Sequence, residues 1–320
     1  MIRRLLNRIP LFKTLCALKK LGILGMNARN IEFISQYNSR RYFPLVDNKL
    51  LTKKLALQHQ VNVPELLGVI ERQHDVNLCE QYFPENAGFC VKPAKGSGGK
   101  GILVVRRQNG QYCRSDGSPL QLNDIQRHIS NVLAGLFSLG GNNDVALIEG
   151  LIEVDPYFSQ FSYQGVPDIR VIVFLGIPVM SMIRLSCQGS KGKANLHQGA
   201  VGVGLNMSDG SAINAVQHGD IISHHPDNQI ALSTLQVPEW DAMLRLACAC
   251  YDMTQLGYIG VDLVCDKHRG PLLLELNARP GLSIQIANQC GLLPRLKKVE
   301  SHRNLKKLSI EERIDFAKSL

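Results

Sequence analysis

Absences narrow the field first. No stretch of the 320 residues reaches the roughly 18 consecutive apolar residues that a membrane-spanning helix needs. The nine cysteines (16, 79, 90, 113, 187, 248, 250, 265 and 290) include no CxxC pair and form no regular framework. That argues against a disulfide scaffold and a cysteine-rich zinc site. Buried free thiols in a reducing cytosol are expected, several of them inside apolar runs such as Leu246-Ala-Cys248-Ala-Cys250. The GxxxxGK[ST] order of a Walker A loop is missing, as is a dinucleotide fingerprint leading directly into a helix. No RNP-type aromatic motif or recognition helix is evident, so nucleic acid is not an expected partner. Neither an internal repeat nor a low-complexity tract occurs. Acidic residues are also in deficit: 27 Asp and Glu against 36 Lys and Arg, a net charge of +9. Such a balance favours anionic partners without choosing among them.

Much of the positive charge lies at the two ends, in Arg3, Arg4, Arg8, Lys13, Lys19 and Lys20, then in Arg295, Lys297, Lys298, Arg303, Lys306 and Lys307. The N-terminal stretch has a basic start, but Arg8 and Lys13 break its apolar core and no small-residue cleavage site follows, so it reads poorly as a signal peptide. Ile2, Leu5, Leu6 and Ile9 fall at helical spacing. An amphipathic helix of this kind ordinarily packs on its own domain, which is the expectation here; docking on a membrane surface is the alternative.

A hydrophobic fraction of 45% and a charged fraction of 20% are those of an ordinary globular protein, long enough for two or three subdomains. Residues 1–46 read as basic helices broken at Pro10 and at Gly22 and Gly25. A helix is expected over 48–60, and strands alternating with turns over 66–105. A further helix is expected over 122–139, with Asn123 as N-cap and Gly140-Gly141 as its stop. Strand-rich segments follow at 145–154 and 168–185, the second broken by a Gly176-Ile-Pro178 turn. The clearest helix runs over 238–256, with Trp240, Met243, Leu244, Ala247 and Tyr251 on one face and Gly257 at its end. Interleaved strands and helices with antiparallel hairpins make the class α+β.

Two stretches carry chemistry. In Gly257-Tyr-Ile-Gly-Val-Asp262 and Leu272-Leu-Leu-Glu275-Leu-Asn277-Ala-Arg279-Pro-Gly281, two apolar strands can pair through Asp266-Lys-His-Arg-Gly270. Glu275 and Asn277, two apart, then share a face, and Asp262 can meet them. Carboxylates and an amide oxygen suit a hard cation such as Mg2+; a plain polar strand rim is the competing reading. In Phe89-Cys-Val-Lys92-Pro-Ala-Lys95-Gly96-Ser97-Gly98-Gly99-Lys100-Gly101, a strand carries Lys92 into a turn whose glycines leave backbone N–H groups open to an anion. A lysine inside an apolar strand is unusual without an anionic partner, although a bare surface hairpin would also carry glycines. Asp168-Ile-Arg170 and Arg184 sit at strand ends, where the arginines can hold carboxylate or phosphate oxygens or pair with neighbouring acids. Lys191-Gly-Lys193-Ala-Asn195-Leu-His197-Gln-Gly199 is a polar glycine-rich loop. His218, His224 and His225 show no fixed ligand spacing and read as a solvated turn.

In this order the motifs resemble the ATP-grasp superfamily over residues 47–291, most of all RimK-type and alpha-L-glutamate-ligase-like proteins. His225-Pro-Asp-Asn and Val237-Pro-Glu-Trp240 add a likeness to the sugar-transfer-associated group. The resemblance implies an ATP-grasp fold with the nucleotide between two α+β lobes. It implies that Lys49 and Lys92 meet the ATP phosphates and adenine edge, and that the loop from Lys95 to Gly101, with Gly96, Ser97, Gly98 and Gly99, covers the phosphates. Glu149, Gly150 and Leu151 would form the adenine hinge, and Glu153 or Asp168 would hold the ribose. Asp262, Glu275 and Asn277 would bind two Mg2+, with Mn2+ as a substitute. Arg184 and Asn195, with Arg170 and Lys193 near them, would stabilise the transferred phosphoryl group or an acyl-phosphate. Arg279 stands where small residues are common in the family and would meet an anionic substrate group.

The corresponding domains are a basic helical segment (1–46), a small lobe (47–149), a large lobe (150–292) and a basic helical tail (293–320). Only about 46 residues precede the first ATP lysine, where relatives carry a sizeable α/β domain, and residues 205–237 look like an added hairpin. The expected activity is a carboxylate–amine ligase in the cytoplasm that adds glutamate or a similar amino acid to a peptide or small, acidic acceptor. The alternatives are a phosphotransferase on the same fold, and a non-catalytic ATP-binding partner of a membrane protein that docks through the basic N-terminus.

Overall fold

The computed structural model describes residues 11–96, 98–108 and 110–320. Ile2, Leu5, Leu6 and Ile9, the expected break at Pro10, and Ser97 lie outside the described residues. By its internal contacts the chain divides into two compact units: Pro44–Glu153, and a larger unit made of the described residues up to Phe43 and from Val154 onward.

The larger unit begins with helix α1 (Leu11–Lys20). Gly22, at φ +68°, ends it where a Cβ would strike Pro294 at 2.5 Å, and the Leu293 N–H donates to its carbonyl at 3.1 Å. Gln285 then clamps Leu24, accepting from its N–H at 2.8 Å and donating to its carbonyl at 3.1 Å. A helical run follows as Met26–Ala28, Arg29–Ile34 and Ser35–Tyr37, burying Phe33 against Phe174 and Tyr258. Asn38 pairs with both backbone groups of Tyr258 at 2.8 Å, acting as a one-residue strand partner.

In the Pro44–Glu153 unit, α2 (Lys49–Gln58) starts where Asn48 Oδ1 accepts from the N–H groups of Leu50 and Leu51. Its buried face carries Leu50, Lys53 and Ala56, three residues apart in turn. Strands β1 (Leu66–Ile70), β2 (Phe89–Pro93), β3 (Leu103–Gln108), β4 (Gln111–Cys113) and β5 (Ala146–Gly150) form an antiparallel sheet of order β1-β5-β2-β3-β4. Between β1 and β2, where strands and turns were expected, Gln73–Tyr82 forms a 3-10 helix. Val76 and Cys79 are buried from it; residues three apart stack on one side of a 3-10 helix, which a period-2 strand cannot do.

Helix α3 (Leu122–Leu133) packs Ile125, Ile129 and Val132 on Phe89, Val91, Val105 and Ile148. Each such burial contributes about 1.5–3 kcal/mol. The helix is shorter than expected at 122–139, and its cap is Gln121, not Asn123. The Asp124 carboxylate accepts the Gln121 N–H at 3.1 Å, and Gly135 stops the helix at φ +80°, where a Cβ would lie 2.3 Å from the Asn142 carbonyl.

The larger unit is built on a seven-stranded antiparallel sheet: β6 (Asp168–Phe174), β7 (Ile177–Leu185), β8 (Val201–Leu205), β9 (Ala212–Gln217), β10 (Asp220–Ile222), β11 (Tyr258–Asp266) and β12 (Gly270–Asn277). Its order is β10-β9-β8-β7-β6-β11-β12. Helix α4 (Trp240–Thr254) buries Trp240, Met243, Leu244 and Ala247 and ends at Gln255, at φ +57°, two residues before Gly257. Helices α5 (Leu293–Glu300) and α6 (Ile310–Lys318) complete the unit, α6 held to α4 by Arg313–Asp252 and Lys318–Asp241 ion pairs. Six of the cysteines are buried and none is bonded to another. Two antiparallel sheets with flanking helices make the fold α+β, as the sequence implied.

Candidate active site

Charge is buried in two clusters, one in each unit. In Pro44–Glu153 it gathers on one face of the five-stranded sheet. The β2–β5 register pairs Lys92 with Leu147 and Cys90 with Glu149, so Lys92 and Glu149 point the same way, one step apart. Lys92 Nζ lies 2.5 Å from Glu149 Oε2, and Lys53 Nζ, reaching in from α2, lies 2.8 Å from Oε1. Lys53 also donates to the Pro64 carbonyl. All three side chains are buried. Burial and the neighbouring Lys92 depress the Lys53 ammonium below its ordinary value, against the pull of Glu149. Glu149 is therefore the anionic partner that an apolar-strand lysine calls for. Two lysines against one carboxylate leave an excess positive charge, which a bound anion would offset. Lys53 escaped the sequence reading. Its signal was its spacing: a lysine on the helix face otherwise lined by Leu50 and Ala56.

The glycine-rich turn between β2 and β3 is tied at both stems. At the entry, the Lys95 N–H donates to both Asp144 oxygens at 2.9 and 3.1 Å, and Lys49 Nζ donates to the Gly96 carbonyl at 2.6 Å. At the exit, His128 Nε2 bonds the Gly101 carbonyl at 2.9 Å, and Gly101, at φ +77°, rests on Phe137. The intervening Gly98 and Gly99, at φ +62° and +73°, have nothing within 4 Å of a built Cβ. A side chain at either of these two glycines would meet open space. Gly150 and Leu151 follow Glu149 at the end of β5, with the Gly150 N–H on the Glu65 carbonyl at 3.0 Å; Glu153 lies exposed beyond them.

In the larger unit, strand register assembles the second cluster. Asp262 stands opposite Glu275 on one side and Arg170 on the other, and Asp168 stands opposite Arg184. A bulge after Asp262 shifts the β11–β12 register at this point, a feature that re-aims side chains beside sites. Arg170 grips both Asp262 oxygens, with Nη2 2.7 Å from Oδ2. Arg184 pairs with Asp168 and reaches Asp262 Oδ2 at 3.1 Å. Asn277 donates to the same Oδ2 at 3.2 Å. Gly260 opens the space: a Cβ there would lie 3.4 Å from Arg170 Cδ and 2.6 Å from Pro280 Cβ. Two arginines balance two aspartates. Burial pushes Asp168 up to about 7 despite Arg184, with Asp262 adding to the rise. Asp262 is also opposed by burial, but Arg170 and Arg184 outweigh it and hold its carboxyl below the usual range. The same two aspartates raise Arg184 above its ordinary value, though burial works against its charge.

Among the described residues, no three His, Cys, Asp or Glu side chains gather as a metal cage, the histidines at 218, 224 and 225 included. Asp262, Glu275 and Asn277 nevertheless fit magnesium. That ion usually takes one or two protein carboxylates and completes its shell with phosphate oxygens and water. Of the other expected residues, Asn195 caps a turn, its Oδ1 accepting the His197 N–H at 3.0 Å, and Lys193 is exposed in the same loop. Arg279 is exposed, its guanidinium 5.5 Å from the Phe43 ring centroid.

The family model for sugar-transfer associated ATP-grasp proteins matches residues 28–301. The chain belongs to that family. No curated protein matches it in sequence. Among solved structures it is similar to the ATP-grasp ligase PsnB bound to a minimal precursor, at 14% identity and TM-score 0.45, covering 88% of this chain and 63% of that one. It is similar to D-cycloserine synthetase DcsG at 16% identity and TM-score 0.46, covering 81% and 70%. The D-alanine–D-alanine ligase of Bacillus anthracis complexed with ATP gives 16% identity and TM-score 0.44, covering 87% and 69%. The chain thus spans less than two thirds of the length of PsnB.

Proposed function

We propose that this ATP-grasp protein is an ATP- and magnesium-dependent ligase that joins a carboxylate to an amine through an acyl-phosphate. In this reading it adds glutamate or a similar amino acid to a peptide or small, acidic acceptor. The observation that carries the reading is the face of the seven-stranded sheet where Asp262, Glu275 and Asn277 lie beside Arg170 and Arg184. Oxygen ligands and guanidinium groups side by side suit a reaction in which phosphate oxygens gain charge.

Magnesium held by Asp262, Glu275 and Asn277 would neutralise charge on the nucleotide phosphates. The Lys53–Lys92–Glu149 cluster, with its excess positive charge, suits the phosphate chain, and the N–H groups of the Gly98–Gly99 tip suit its oxygens. A carboxylate oxygen attacks the γ-phosphorus, the bond to the ADP oxygen breaks, and an acyl-phosphate forms. The amine then attacks the acyl carbon, phosphate departs with the electrons of the C–O bond, and the amine gives up a proton. Arg184 and Arg170 stabilise the phosphoryl oxygens in both steps, with Asn195 and Lys193 contributing from their loop. Arg279, exposed three residues past β12's Leu276, meets an anionic group of the substrate.

Hydroxylamine trapping tests the intermediate. Incubation with Mg-ATP, hydroxylamine and a panel of candidate acids should yield ADP and the matching hydroxamate. A stable phosphorylated product without hydroxamate would favour a phosphotransferase. ATP binding without ADP formation over the whole panel would favour the non-catalytic role.

A further inference from the structure

The N-terminal part of the larger unit holds a surface that the ligase reading leaves unused. Beyond the point where Gln285 and Leu293 hold residues 22–24, the chain runs back into α1, whose described side chains, from Cys16 to Lys20, are all exposed. Five consecutive helical positions span more than a full turn, so side chains on every side of that stretch reach the surface. Leu18 and Leu21 lie three apart, and the Leu21 N–H still bonds the Ala17 carbonyl at 3.0 Å, so the two share a helical face. Leu21 is 60% exposed, Met26 66% and Ile31 70%. With Leu18 at 42%, four large apolar side chains reach the surface within this short segment, more than singly scattered apolar groups would supply.

Charge narrows the occupant. Lys19 and Lys20 sit in the same turn as the exposed leucines. Pro294 of α5 packs on Gly22, and α5 presents Lys297 and Lys298 to solvent. The segment ahead of α1 adds Arg3, Arg4 and Arg8 in sequence. Apolar side chains with lysines beside them match a negatively charged bilayer surface. Leucines enter the acyl boundary while ammonium groups meet lipid phosphates. A second copy of the chain is a poorer match, because it would set the same basic residues against each other. Among the described residues no helix is long and apolar enough to cross a membrane, so the attachment would be peripheral.

We propose that residues 16–31 form a peripheral docking site for anionic lipid membranes. Flotation of the full chain with phosphatidylcholine vesicles, with and without 30% phosphatidylglycerol, tests this directly. Binding is expected to the phosphatidylglycerol vesicles alone and should fall as salt is raised to 0.5 M. Lys19→Glu with Lys20→Glu should weaken it about thirtyfold or more, since each basic residue near an anionic surface contributes about a factor of five. Leu18→Glu with Leu21→Glu should abolish it. All four positions are exposed, and an unchanged unfolding midpoint would confirm that each variant folds. Equal binding of wild type and both double variants would overturn the proposal. So would a wild type that ignores vesicles, or one that forms a dimer which Leu21→Glu dissolves; the last result would assign the surface to self-association.

Discussion

The two buried charge clusters are built on opposite plans. Lys53, Lys92 and Glu149 carry more cation than anion, whereas Arg170, Arg184, Asp168 and Asp262 balance. The lysines can release protons when burial becomes too costly; the guanidinium groups cannot. A cluster with excess, adjustable charge is suited to receive an anion. A balanced one holds Asp262 ionised and in register until a cation exchanges for part of an arginine contact.

The largest effects should come from removing the acid of each cluster. Asp262→Asn strands Arg170 and should cost about 3–5 kcal/mol in urea denaturation, with no relief up to pH 9. Glu149→Gln should be comparably costly at pH 6 but milder at pH 9, because a buried lysine can then lose its proton. Identical pH profiles for the two variants would erase the distinction between the clusters.

Next in size, Lys92→Met should weaken Mg-ATP binding about 10–100-fold in calorimetry, the range expected for losing a charge-assisted hydrogen bond. Unchanged affinity would remove the anion role from the first cluster. A smaller effect concerns the loop stem: His128→Ala should speed amide exchange at residues 98–102 several-fold while leaving α3 protected.

A further effect is on pH dependence. Asp168 in the folded chain titrates near 7, above its unfolded value near 4, so the folded state binds the extra proton between them. Its contribution is complete below pH 4 and is lost as pH rises through 7, at no more than about 1.4 kcal/mol per pH unit. Asp168→Asn should remove that slope from the wild-type curve over pH 4–7. A variant whose curve runs parallel to wild type would place the proton elsewhere.

Much of this was legible in residue order. Period-2 spacing put Glu275 and Asn277 on one face, and the Asp266–Gly270 turn brought Asp262 opposite. The need of Lys92 for an acid was readable; the identity of that acid was not, because β5 lies more than fifty residues away and its pairing with β2 is a tertiary fact. Arg170 and Arg184 were read as ligands for substrate oxygens or partners of nearby acids. Only the β6–β7 and β6–β11 registers show how deeply they are engaged with Asp168 and Asp262. The end of α3 was misplaced because Gly140-Gly141 looked like the stronger stop. Gly135 stops the helix earlier, and the Asn142 carbonyl packed against it could not be seen from the local sequence.

ADP release from Mg-ATP, measured by mass spectrometry with pooled amino acids and acidic peptides, tests the ligase reading most directly, with Glu275→Ala as control. The account predicts ADP release that depends on an amine and a product heavier by one condensed residue, both lost in the control. ADP release that ignores the amine, or persists undiminished in Glu275→Ala, would contradict it.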